Sequence, residues 1–147
     1  MIQFYRDAEK RYMRPELLSE EARKKAEEIR NRKELNSSQF RNYFQELRAL
    51  EARYQADRQR DPEGAWLTLE PQLQLFKAKL AYGARKDGPL MKAAVFRNFL
   101  EDVINSIKDA RDFEAALLFV EAVLAYFYAS ETENQGKARG AERRNRR

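Results

Sequence analysis

The stretch Leu69–Lys86, LEPQLQLFKAKLAYGARK, restricts the fold more than any other part of the chain. At about 100° per residue, Leu69, Leu73, Phe76 and Leu80 share one side of a helix. Leu75, Ala78 and Tyr82 share roughly the opposite side. A helix with two apolar faces needs cover on both, so this one is expected to run through the middle of a bundle. Lys77 and Arg85 occupy one seam between the faces, with small Ala81 between them, and Lys79 and Lys86 occupy the other. Those seams either solubilise the edges of the helix or emerge between neighbouring helices as a basic surface.

The remaining segments repeat the 3.6-residue period between breakers. Residues 1–14 mix aromatic and charged side chains, which suits a short helix or an arm packed on the body. Pro15 fits a first helical turn. From Glu16 to Arg30, Leu18, Ala22, Ala26 and Ile29 form a thin stripe on a helix otherwise covered by charge pairs such as Glu20 with Lys24. Ser37 or Ser38 can cap the next helix, which carries Phe40, Phe44, Leu47 and Tyr54 and runs to about Gln59. Arg41 and Arg48 lie nearly on one line off that apolar face. Asp61-Pro62-Glu63-Gly64 opens the following helix, kinked at Pro71, with Trp66 as a core anchor. After Asp87-Gly88-Pro89, a helix from about Leu90 to Lys108 carries Phe96, Phe99 or Leu100, Val103 and Ile107, with Lys92 and Arg97 elsewhere on it. Asp112 can cap the last helix, Phe113 to about Ser130, whose apolar surface exceeds one core face.

These segments predict an all-α fold: a compact bundle of five or six helices. The expected organisation is an arm and surface helix over residues 1–34, a bundle core over 35–130 and a disordered basic tail over 131–147. The formal net charge is +5, and residues 137–147 alone carry that excess, so the rest of the chain sums to zero. Any nucleic-acid surface on the body must then arise from charge separated across faces.

Composition narrows the chemistry. There is no cysteine, which excludes disulfides and zinc–thiolate sites, and no histidine, which removes the commonest general base and metal ligand. No glycine-rich phosphate loop or Asp-rich calcium loop occurs, so no cofactor, metal or catalytic residue is expected. The acid pairs Glu101/Asp102 and Asp109/Asp112 suit surface or capping roles. No membrane association is expected, because the most apolar stretch, Ala115–Ala129, is interrupted by Glu121. A cytoplasmic protein is the expectation.

Three pieces in order carry a family likeness: LNSSQFRNYFQEL at Leu35–Leu47, LQLFKAKLAYGARK at Leu73–Lys86 and FEAALLFVEAVLAYFYA at Phe113–Ala129. Together they resemble the small helical subunit of the type III-A CRISPR–Cas effector (Csm) complex of antiviral defence. The second piece is similar to a K-x-x-L-A-Y-x-x-x-R pattern, in which Lys77 or Lys79 leads and Leu80, Ala81, Tyr82 and Arg85 or Lys86 follow. The resemblance implies a non-catalytic bundle that stacks in copies along the crRNA–target RNA duplex, contacts its backbone and joins the other Csm-type subunits. It carries RNA contact to Arg41, Lys77, Lys79, Arg85 and Lys86. Added to the seams of the neighbouring helices, the expected RNA-facing set is Arg41, Arg48, Lys77, Lys79, Arg85, Lys86, Lys92 and Arg97. Self-association, as a dimer in isolation, is expected from the apolar last helix. A helical scaffold that touches no nucleic acid would present the same seams.

Overall fold

The computed structural model describes the backbone of residues 1–32 and 35–145, and the side chains of these through Glu131. A 3-10 turn, Pro15–Leu18, is followed by five α-helices: α1 (Glu20–Asn31), α2 (Ser37–Arg58), α3 (Pro62–Gly83), α4 (Ala94–Asn105) and α5 (Ala110–Asn145). Among the described residues the only β pairing is a single bridge, Tyr5 with Met13. The protein is therefore an all-helical bundle. The tail expected over 131–147 falls, beyond Glu131, outside the residues whose side chains are described.

The helices neighbour one another in the order α1, α5, α2, α3, α4, and α4 returns to touch α1. α5 rather than α3 holds the middle. Ala22, Ala26 and Ile29 of α1 are buried, and small alanines allow α1 to lie close on α5. From the other side, α2 brings Phe40, whose ring centroid lies 4.7 Å from Phe96 of α4 and 5.5 Å from Phe127 of α5. These three fully buried rings tie three helices together. By length and composition Ala110–Glu131 is apolar enough to cross a bilayer, with mean hydropathy 1.5. Here that apolarity serves the bundle: Phe113, Leu117, Val120, Val123 and Phe127 are all buried in its core.

Several boundaries differ from the sequence expectation for physical reasons. Asn36, not a serine, caps α2: its side chain accepts the Gln39 N–H at 2.9 Å, while Gln39 Oε1 accepts the Asn36 N–H at 3.0 Å. Asp109 caps α5 by accepting the Asp112 N–H at 2.9 Å. Asp112 is instead buried and accepts from the Lys108 N–H and Lys10. α3 does begin at Pro62, capped by Asp61, and runs through Pro71. Trp66 is only partly buried at the core margin. Leu90 is buried from a loop, not a helix; its N–H bonds the Gly83 carbonyl at 2.8 Å, and α4 starts only at Ala94.

The first residues form a pinned arm. Arg6 and Arg14 N–H groups bond the Tyr12 and Phe4 carbonyls, Phe4 is buried, and the Asp7 carboxylate accepts from the N–H groups of Arg11 and Tyr12. Lys10 then reaches Asp109 at 2.6 Å and Asp112 at 3.0 Å, fastening the arm to the start of α5.

Candidate nucleic-acid interface

α2 and α3 pack antiparallel, with Tyr43 beside Gly83 at one end and Tyr54 beside Ala65 and Leu69 at the other. Phe40, Phe44 and Leu47 turn into the core, so Gln39, Tyr43, Glu46, Leu50 and Arg53 fall on the flank of α2 that meets α3. On α3, Leu69, Leu73, Phe76 and Leu80 are buried, whereas Leu67, Leu75 and Tyr82 are exposed. The second apolar face predicted for this helix is therefore real as a pattern but faces outward in the isolated chain.

A groove of about 410 Å³ opens between the first turns of α2 and the end of α3, lined by Gln39, Asn42, Tyr43, Glu46, Lys79, Tyr82, Gly83, Arg85 and Pro89. Its geometry depends on Gly83, where a Cβ would stand 2.6 Å from Tyr43 Oη. Burial, then Glu46, raises the Tyr43 pKa against the opposing pull of Arg85, so its hydroxyl is a neutral donor at pH 7. The Arg85 guanidinium stacks 3.8 Å from the Tyr82 ring centroid and donates to the Tyr82 carbonyl at 2.8 Å. Lys79 lies 3.8 Å from Glu46, a loose, exposed pair. A second hollow of about 280 Å³ continues along α2 and α3 past Leu75 and Arg53.

The structure divides the predicted basic set. Lys79 and Arg85 line the same groove, and Lys86 and Lys92 are exposed in the connector after α3. Arg41 and Arg48 lie on the opposite flank of α2, about 140° and about 160° round its axis from Glu46. Arg48 is committed inside the fold: it bonds Glu51 and Glu121, each at 2.7 Å, and its guanidinium lies 5.0 Å from the Phe44 ring centroid. Burial opposes its charge, yet those carboxylates raise its pKa above the ordinary arginine value. Lys77 faces α4 and donates to Asn105 Oδ1 at 2.7 Å. Arg97 is half-buried on α4 and Arg41 is exposed; neither makes an ion pair among the described residues. Sequence reasoning missed Arg53, Gln39 and Asn42. The spacing Gln39, Asn42, Glu46, Arg53 is helical, but only the partner helix marks that flank as a groove wall.

Among the described residues no three acidic side chains come together to hold a metal ion. Fold and groove define a small helical bundle with a cleft bordered by Lys79 and Arg85. A family model described as Csm2, Type III-A, matches residues 13–133, and the chain belongs to that family. No curated protein and no solved structure matches it. Membership gives it a non-catalytic role as the small subunit of a cytoplasmic type III-A CRISPR effector, assembling with other Csm subunits and crRNA–target RNA.

Proposed function

We propose that this subunit stacks in copies along the crRNA–target RNA duplex and grips the sugar–phosphate backbone through Lys79, Arg85, Lys86 and Lys92. The observation that carries the reading is the convergence of Lys79 and Arg85 on one groove, with Lys86 and Lys92 exposed in the connector that follows. A subunit lining targets of every sequence must hold phosphate, the feature all of them share. Rigid helix ends fix the spacing of these cations, and A-form RNA offers its backbone more readily than its base edges. The test is target-RNA retention by the assembled complex carrying the triple variant Lys79→Ala, Arg85→Ala, Lys86→Ala. Retention should fall at all sequences, with a shallower salt dependence. Retention equal to wild type would leave the chain a scaffold, a reading that Arg48 and Lys77 favour because both are tied to neighbours within the fold.

Self-association uses the exposed side of α5 in this proposal. Leu118 is 43% and Tyr126 36% exposed, and Ala125 and Ala129 lie on the same side of the helix. Alanines there permit close approach of a second copy. Sedimentation of a Leu118→Glu variant should show monomer at concentrations where the wild type is larger; identical profiles would reject this face.

A further inference from the structure

Tyr82 is the most exposed aromatic ring among the described residues, at 67%, and it borders the groove rather than open surface. The Arg85 guanidinium lies over one of its faces at 3.8 Å from the centroid, and at 67% exposure much of the ring stays open to solvent. Across the groove stand Asn42 and Gln39. Gln39 Oε1 is held by the Asn36 N–H, so its amide nitrogen remains free to donate. Lys79 lies along the same wall as Tyr82. An anchored aromatic face, amide groups opposite it and cations at the rim are the parts that hold an unstacked nucleotide: ring for base, amides for base edge, cations for phosphate.

Resting on the RNA-contact reading above, we infer that this groove takes one unpaired nucleotide, its base stacked on the open face of Tyr82 and its phosphate held by Lys79 and Arg85. The ligand class is single-stranded RNA at this position, because a paired base has both faces covered by its neighbours in the stack. Glu46, also in the groove lining, stands 3.8 Å from Lys79, an exposed pair loose enough for a phosphate to displace.

The experiment measures binding of the full-length protein to three labelled probes: a short single-stranded RNA, an abasic strand of the same length and charge, and an RNA duplex. Tyr82→Ala should weaken the base-bearing single strand by about tenfold and leave the abasic strand and the duplex unchanged. Tyr82→Phe should bind all three as wild type does. Because Tyr82 is exposed, the variants should keep the wild-type circular dichroism spectrum and melting temperature. Lys79→Ala should weaken every probe with a shallower salt dependence. If Tyr82→Ala affects base-bearing and abasic strands equally, or neither, the stacking site is overturned while a Lys79→Ala effect keeps the phosphate grip. If Lys79→Ala changes no probe, the RNA-contact reading falls together with it.

Discussion

Phe40→Ala tests the account of what holds the bundle together. The ring is fully buried and touches Phe96 and Phe127, so its loss removes contacts from α2, α4 and α5 at once. Deleting it takes away roughly 150 Å² of buried apolar surface, about 4 kcal/mol at 25 cal/mol per Å². Two tilted ring pairs add about 0.5–1.5 kcal/mol each, and partial collapse of the cavity offsets some of the total. The net expectation is about 4 kcal/mol, against a whole-domain stability of roughly 7–20 kcal/mol for a chain this long. In urea unfolding followed by circular dichroism, the midpoint should fall with the slope unchanged. The melting temperature should drop by about 8–16 °C. Phe40→Leu, which keeps most of the volume but loses both ring pairs, should cost about 1–2 kcal/mol. A loss below about 1.5 kcal/mol for Phe40→Ala would mean that the ring is not the junction described here.

Four further outcomes follow from named contacts. Asn36→Ala removes half of the capping box on α2 and should lower stability by about 1 kcal/mol in urea unfolding. Gly83→Ala places a Cβ 2.6 Å from Tyr43 Oη and should destabilise by about 1–3 kcal/mol in thermal melts, with partial rescue by adding Tyr43→Phe. The arm should loosen at both pH extremes. Burial resists ionisation of Asp109, but bonds from Lys10 and the Asp112 N–H lower its pKa; its contribution is present above pH 3.8 and is lost as pH falls below that through the folded value. Burial likewise opposes the Lys10 charge, but Asp109 and Asp112 raise its pKa; its contribution is present below pH 10.5 and is lost as pH rises through the higher folded value. Proteolysis of the arm should rise at both extremes, and Lys10→Met should make it rise at neutral pH too. Arg48→Met should leave target-RNA retention by the assembled complex unchanged, because that guanidinium is held by Glu51 and Glu121.

The fold was largely legible because the core signal is local. Phe40, Phe44, Leu47 and Tyr54, or Phe113, Ala116, Leu117, Val120 and Val123, declare their buried face by spacing alone, and all are buried. The cap of α2 was legible only in part: hydroxyl and amide side chains cap alike, and Asn36 gained the position through its reciprocal bond with Gln39. Leu90 misled the reading of α4 because an apolar side chain can be buried from a loop when its backbone N–H finds the end of the previous helix. The second face of α3 misled the reading of the centre. Period reveals that Leu75 and Tyr82 share a side, but not whether that side meets a helix of the same chain.

The candidate site was less legible for a related reason. Sequence gives each cation an angle about its own axis, and that angle is correct for Arg41 and Arg48, which do share a flank. It gives no relation between axes, so it could not tell that Glu121 of α5 waits opposite Arg48 while Lys79 opens onto a groove. A chain whose folded body is neutral by count must separate its cations by engagement. Those facing α4 and α5 bond Asn105 and Glu121 and act as fasteners between helices, and Arg48 is held further by Glu51 of its own helix. Those at the end of α3 and in its connector have, at most, one loose carboxylate at 3.8 Å to compete with a phosphate. The C-terminal end of α3 therefore presents net positive charge toward the groove without any excess in the body as a whole, and it does so beside an aromatic ring that an adjacent arginine already holds in place.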